Sequence, residues 1–170
     1  MNKLLKKKTE SVLNLLFFFL ILYFIQIYEK SSPFKSIAVK KNLTKIRVRY
    51  GETDQMGVVY YGNYAQYLEQ GRTEWLRDLG FSYKWMEANN VHLPVINLTI
   101  DYKAPAHYDD VLLVTTALKK IPTFKIDFYY EIHNEEGVLL ITATTSLVFV
   151  NSTTKKIQKA PDYLLKKLQE

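Results

Sequence analysis

The chain has 170 residues, room for one domain with a proper core, and 48% hydrophobic with 14% aromatic residues is a globular composition. It contains no cysteine, which excludes disulfides, a thiolate nucleophile and a Cys-ligated zinc site, and suits a reducing compartment. The net charge of +6 is carried by residues 1–41, where eight lysines face two acids; the rest is neutral and offers no basic face for nucleic acid.

In chain order, the first feature is an apolar run from Val12 to Tyr28, broken strongly only by Asn14 and Gln26 and preceded by Lys6, Lys7 and Lys8. A membrane span needs about 20 apolar residues, with about 17 as the lower limit, so the run reads as a borderline anchor with its lysines held in the cytoplasm. Two alternatives stand beside it: a cleaved signal, although no small-residue cleavage site follows, and a start assigned too far upstream. The second draws on a leader written mostly in Lys, Asn, Leu, Phe, Ile and Tyr; against it, no Met lies between Met1 and Met56. An anchor of this orientation would carry the domain away from the cytoplasm. The expected division is a leader and linker over residues 1–41 and a folded domain over residues 42–170. The expected location is cytoplasmic, and membrane association through residues 12–28 fits it only with the topology reversed.

Within the domain, Lys45 to Tyr50 alternates and reads as a strand, and Gly51 to Gly62 is rich in turn residues. Asn63 to Leu79 reads as a helix with Tyr64, Tyr67, Leu68, Gly71, Trp75 and Leu76 on one face. Gly71 in mid-helix costs about 1 kcal/mol against Ala and implies close approach to a sheet. Gly80 closes that helix, and Ser82 caps a short second one reaching Asn90. Four β segments follow, Leu93–Lys103, Val111–Ile121, Phe124–His133 and Val138–Val150, with a hairpin loop at Asn134 to Gly137. Lys155 to Gln158 offers a further short strand, and Pro161 opens a last helix with Leu164, Leu165 and Leu168 on one side. The order of strand, long helix and antiparallel meander predicts an α+β domain in which the sheet wraps one central helix.

Chemistry concentrates between Arg49 and Tyr64, where Asp54 sits on a turn, a short apolar run follows, and a helix begins. The first N–H groups of a helix lack internal partners and attract developing negative charge. A thioester carbonyl placed there would be polarised, and Asp54 could attack it or activate a water. Spacing alone does not choose this role, because an Asp in a turn before a helix is in general an Asx-turn or capping residue.

The assembled pattern is more specific. Asp54 is followed by Gly57-Val58-Val59-Tyr60 and Asn63-Tyr64, and the helix continues as Glu69-Gln70-Gly71-Arg72-Thr73-Glu74-Trp75-Leu76. With Asp101 to Ala106 and Asp109-Asp110 further on, this resembles the hotdog-fold family of 4-hydroxybenzoyl-CoA thioesterase and its YbgC-type relatives, over about Leu43 to Lys159. The resemblance implies a hotdog fold, hydrolysis of an acyl-CoA substrate, and pairing as a homodimer or homotetramer with the site at the subunit interface. It implies Asp54 as the catalytic carboxylate, nucleophile or general base, and the Tyr61 main-chain N–H as the oxyanion donor. Gly57, Val59, Tyr60 and Asn63 would line the substrate, Gly57 through a tight backbone path and Asn63 by supporting the helix start. Tyr61 departs from the YbgC-type members, which usually carry His there, and matches the hydroxybenzoyl enzyme.

Other candidates read as structural. Glu69 is expected to be buried and hydrogen-bonded, Glu74 exposed or paired, and Arg72 and Arg77 paired with nearby acids. His92, His107 and His133 lie in separate segments without metal spacing, so neither a metal nor another cofactor is expected. The alternatives to hydrolysis are a non-hydrolytic acyl-thioester-binding or dehydratase-like hotdog protein, and a membrane-tethered interaction scaffold. A dehydratase would be expected to carry a His near the helix start, where this chain has none.

Overall fold

Apolar and polar side chains alternate along β1 (Asn42–Arg47) and just past it, so that Thr44, Ile46 and Val48 face inward while Lys45, Arg47 and Arg49 stay in water. The computed structural model describes residues 40–169, which lie within one unit spanning Val39–Glu170. The apolar run at residues 12–28 lies outside the described residues. Among the described residues, no helix is long and apolar enough to cross a membrane.

After β1 come a 3-10 turn (Tyr50–Glu52) and a second one (Tyr61–Asn63) that leads directly into α1 (Tyr64–Asp78). The buried residues of α1 are Tyr64, Tyr67, Leu68, Gly71, Trp75 and Leu76, the face predicted from the spacing. Helix α1 ends in a Schellman arrangement, with the Gly80 N–H on the Arg77 carbonyl at 2.8 Å and the Phe81 N–H on the Leu76 carbonyl at 3.0 Å. Ser82 caps α2 (Tyr83–Ala88) by accepting the Trp85 N–H. The remaining elements are β2 (Val91–His92), β3 (Val95–Tyr102), β4 (Val111–Leu118), β5 (Lys125–His133), β6 (Leu139–Val148), β7 (Val150–Asn151) and α3 (Asp162–Gln169).

The sheet has the order β1-β4-β5-β6-β3, all neighbours antiparallel. This corrects the expected four-strand meander: β4, β5 and β6 form one, but β3 pairs with β6 at the far edge instead of with β4. The chain crosses from the β3 edge back over the sheet to β4, beside β1, through Lys103–Asp110. Backbone hydrogen bonds hold this crossing segment in place, from the Val48 N–H to the Asp110 carbonyl and from the Val59 N–H to the Ala106 carbonyl. The last predicted strand is broken at Phe149, and β7 pairs with β2 in a separate two-stranded ribbon. Lys155 to Gln158 contributes a single bridge, Ile157 to Val150.

Helix α1 lies against β1 and β4. A Cβ at Gly71 would stand 2.6 Å from Thr116 Oγ1 and 2.9 Å from Val114 Cγ1, so glycine is what lets the helix approach this closely. Trp75, 1% exposed, meets Phe128 edge-on at 5.2 Å. Its indole N–H donates to the Lys40 carbonyl, which ties Lys40 to α1. Leu164 of α3 is fully buried, and Leu165 and Leu168 pack beside it.

Candidate active site

Asp54 stands at the start of a small hairpin closed by the Thr53–Val59 bridge. Its main-chain N–H donates to the Val58 carbonyl, and its carbonyl accepts from the Gly57 N–H, both at 2.9 Å. Gly57 has φ +76, a left-handed conformation that closes the turn and that other L residues adopt at a cost. Its place in the motif therefore follows from backbone conformation; a Cβ there would meet nothing within 4 Å. Among the described residues, the half-buried Asp54 carboxylate takes one hydrogen bond, on Oδ1 from the Met56 N–H at 2.8 Å. Asp54 is thus an Asx-turn residue with its second oxygen open for other use.

The hairpin is tied to the helix start. The Glu52 carbonyl accepts from the Tyr60 N–H at 2.9 Å and from Asn63 Nδ2 at 2.7 Å. Asn63 is not a side-chain cap of α1; its amide reaches back to the turn before the hairpin. The Tyr61 N–H opens the 3-10 turn that leads into α1, at the position where helix donors lack internal partners. The Tyr102 hydroxyl donates to the Tyr61 carbonyl at 3.0 Å, fixing this peptide from β3. Val59 is 5% exposed and packs into the core. Tyr60 and Tyr61 are exposed, their rings 4.4 Å apart, and Tyr61's hydroxyl raises the pKa of Tyr60.

Sequence reasoning gave Glu52 no role. It is a buried carboxylate, 7% exposed, that accepts four donors. Arg49 Nε and a terminal guanidinium nitrogen reach Oε1 at 2.8 and 2.6 Å, while the Arg49 main-chain N–H and the Tyr67 hydroxyl reach Oε2 at 2.8 and 2.9 Å. Burial pushes its pKa up, but the hydrogen bonds from Arg49 and Tyr67 outweigh this and hold it below the ordinary value. Burial and the adjoining Glu52 charge push the Tyr67 hydroxyl pKa up in turn. The signal available in the sequence was the Arg49-to-Glu52 spacing of three, which lets the Glu52 carboxylate reach back to the Arg49 main-chain N–H at the start of the 3-10 turn.

The other candidates fall elsewhere. Glu69 is exposed, not buried as expected: it lies just past the edge of the buried arc of α1. It lines a groove of about 580 Å3 with Arg72, Tyr83, Glu87 and His92, and no residue from Asp54 to Asn63 lines that groove. Glu74 pairs with Arg77 as expected, whereas Arg72 donates to the Tyr83 hydroxyl instead of to an acid. His107 forms a β-bridge with Val58, and its main-chain N–H donates to the Asp110 carboxylate. Among the described residues no group of three or more His, Asp or Glu could hold a metal ion.

A sheet wrapped on one helix, with a carboxylate hairpin bound to that helix's start, defines a hotdog-fold α+β domain. Residues 48–168 match the family profile of the thioesterase-like superfamily. The chain is 44% identical over 112 residues to YneP of Bacillus subtilis (strain 168), provisionally named an acyl-CoA thioesterase, covering 66% of this chain and 81% of that protein. It is 33% identical over 125 residues to the acyl-CoA thioester hydrolase YbgC of Escherichia coli O6:H1, covering 74% of this chain and 93% of the relative. Among solved structures, the DHNA-CoA thioesterase of Staphylococcus aureus superposes with a TM-score of 0.67 at 38% identity, over 70% of this chain and 80% of that one. The chain belongs to the thioesterase-like superfamily, a family of thioester hydrolases.

Proposed function

We propose that this protein hydrolyses an acyl-CoA thioester to the free acid and CoA, with Asp54 as its catalytic carboxylate and the Tyr61 N–H as its oxyanion donor. The observation that carries the reading is the coupling of the Asp54 hairpin to the helix start through one residue, Glu52, whose carbonyl binds both Tyr60 and Asn63. The names of the relatives support CoA as the thiol. Two routes use the same groups. As general base, Asp54 takes a proton from water while the water oxygen bonds to the thioester carbon. As nucleophile, it bonds to that carbon itself, and water later cleaves the resulting anhydride. In both, the carbonyl oxygen gains negative charge opposite the helix start, the C–S bond breaks, and the CoA thiolate leaves and takes up a proton. Incubating the protein with a panel of aliphatic and aromatic acyl-CoAs and titrating released thiol tests this. Binding of acyl-CoA without thiol release would favour a non-hydrolytic role.

The working form is at least a homodimer. Edge strand β3 leaves Val95, Ile96, Leu98 and Tyr102 between 40% and 51% exposed, an unpaired apolar edge of the kind that another strand covers. Sedimentation at micromolar concentration is expected to give a dimer or tetramer. A monomer at that concentration would remove this part of the reading.

A further inference from the structure

The Glu52 carboxylate is a buried charge to which the chemistry above gives no role, and the side chain and main chain of Glu52 bind different parts of the site. Its carboxylate is saturated by four donors, one of them Tyr67 on α1. Its main-chain carbonyl holds Tyr60 and Asn63, the residues that flank Tyr61 and Gly62. The next residue, Thr53, begins the hairpin that carries Asp54. The helix thus holds the Glu52 side chain through Tyr67, while the Glu52 main chain holds the helix start and the hairpin base.

From this we infer that Glu52 is a positioning residue that fixes Asp54 relative to the Tyr61 N–H, with Arg49 and Tyr67 as its anchors. The inference rests on the proposed thioesterase reading for its catalytic consequence, but its structural content stands without it. A neutral amide cannot replace the carboxylate. Each oxygen faces two donors, so one end of a glutamine would point its own N–H groups at donors and leave them unmatched. The hairpin would lose its fixed distance from α1, and misplacement of a reacting group by about 1 Å is worth about 10²-fold in rate.

The test uses the full chain as wild type, Glu52→Gln and Tyr67→Phe. For each, kcat and KM are measured on the acyl-CoA that wild type cleaves fastest, and amide hydrogen exchange is followed across the domain. Glu52→Gln is expected to lower kcat about 10²-fold with KM changed far less, and to speed exchange only in Thr53–Asn63. Tyr67→Phe removes one donor of four and is expected to lower kcat about 5-fold, with the same local pattern of exchange. It carries the test alone if Glu52→Gln does not fold. Unchanged kcat and unchanged local exchange would overturn the inference. So would faster exchange throughout the domain with kcat per folded molecule intact, the signature of a merely stabilising residue. If wild type cleaves no acyl-CoA, the proposed function fails, and the exchange pattern still decides whether Glu52 positions the hairpin.

Discussion

Asp54→Asn is expected to lower kcat by about 10²–10⁴ with little change in melting temperature, the cost of removing a positioned general base. Two roles overlap at this residue, and the substitution separates them. The Asx turn needs only an acceptor for the Met56 N–H, which Asn Oδ1 supplies as well as a carboxylate does. Catalysis needs the charge, either to attack the carbonyl carbon or to take a proton from water, and an amide does neither. Asp54→Ala would remove both functions, so its melting temperature should fall while that of Asp54→Asn does not. Glu69→Gln is the control. Its carboxylate lies on the groove beside Arg72 and His92, away from the motif hairpin, and the variant should turn over normally. Near wild-type turnover by Asp54→Asn, with a folded but inactive Glu69→Gln, would transfer the chemistry to the helix carboxylate.

How much of this was legible in the sequence follows the range of the interactions concerned. The buried face of α1 came directly from spacing, because period 3.6 is a local property, and the Asn134 to Gly137 loop came from its turn residues. The pairing of β3 with β6 was not legible. Nothing in Val95–Tyr102 names its partner, and the crossing through Lys103–Asp110 is fixed by hydrogen bonds to Val48 and Val59, far away in the chain. The burial expected of Glu69 fails for a related reason: it sits at the margin of the helical face, where a residue is buried or exposed according to what packs beside it. Of the candidate site, motif position named Asp54, Gly57 and Tyr61, but the work of Glu52 depends on Tyr67, fifteen residues on, whose hydroxyl reaches it only once α1 is docked.

The second large effect concerns that docking. Gly71→Ala adds helix propensity worth about 1 kcal/mol, so on an open helix face it would stabilise the protein. Here the new Cβ meets Thr116 Oγ1 at 2.6 Å and Val114 Cγ1 at 2.9 Å, both closer than packed atoms allow. Thr and Val are stiff at χ1, so neither side chain swings aside cheaply, and overpacking of this kind costs about 1–3 kcal/mol. The clash outweighs the propensity gain: Gly71→Ala is expected to lose about 1 kcal/mol net, or about 4 °C in melting temperature for a domain of this size. Gly71→Val adds two further methyl groups to the same contact and lacks the propensity gain of Ala. It is expected to lose about 3 kcal/mol or more, a fall beyond about 10 °C, with part of the protein insoluble. Since α1 carries Tyr67, and with it the anchor of Glu52, the helix cannot retreat from the sheet without moving the Asp54 hairpin, so the surviving Gly71→Val should also show reduced kcat. Thermal melts read the first effect and turnover per folded molecule the second. A Gly71→Ala protein that melts above wild type would mean that the helix does not press on β4, and that the glycine serves some other end.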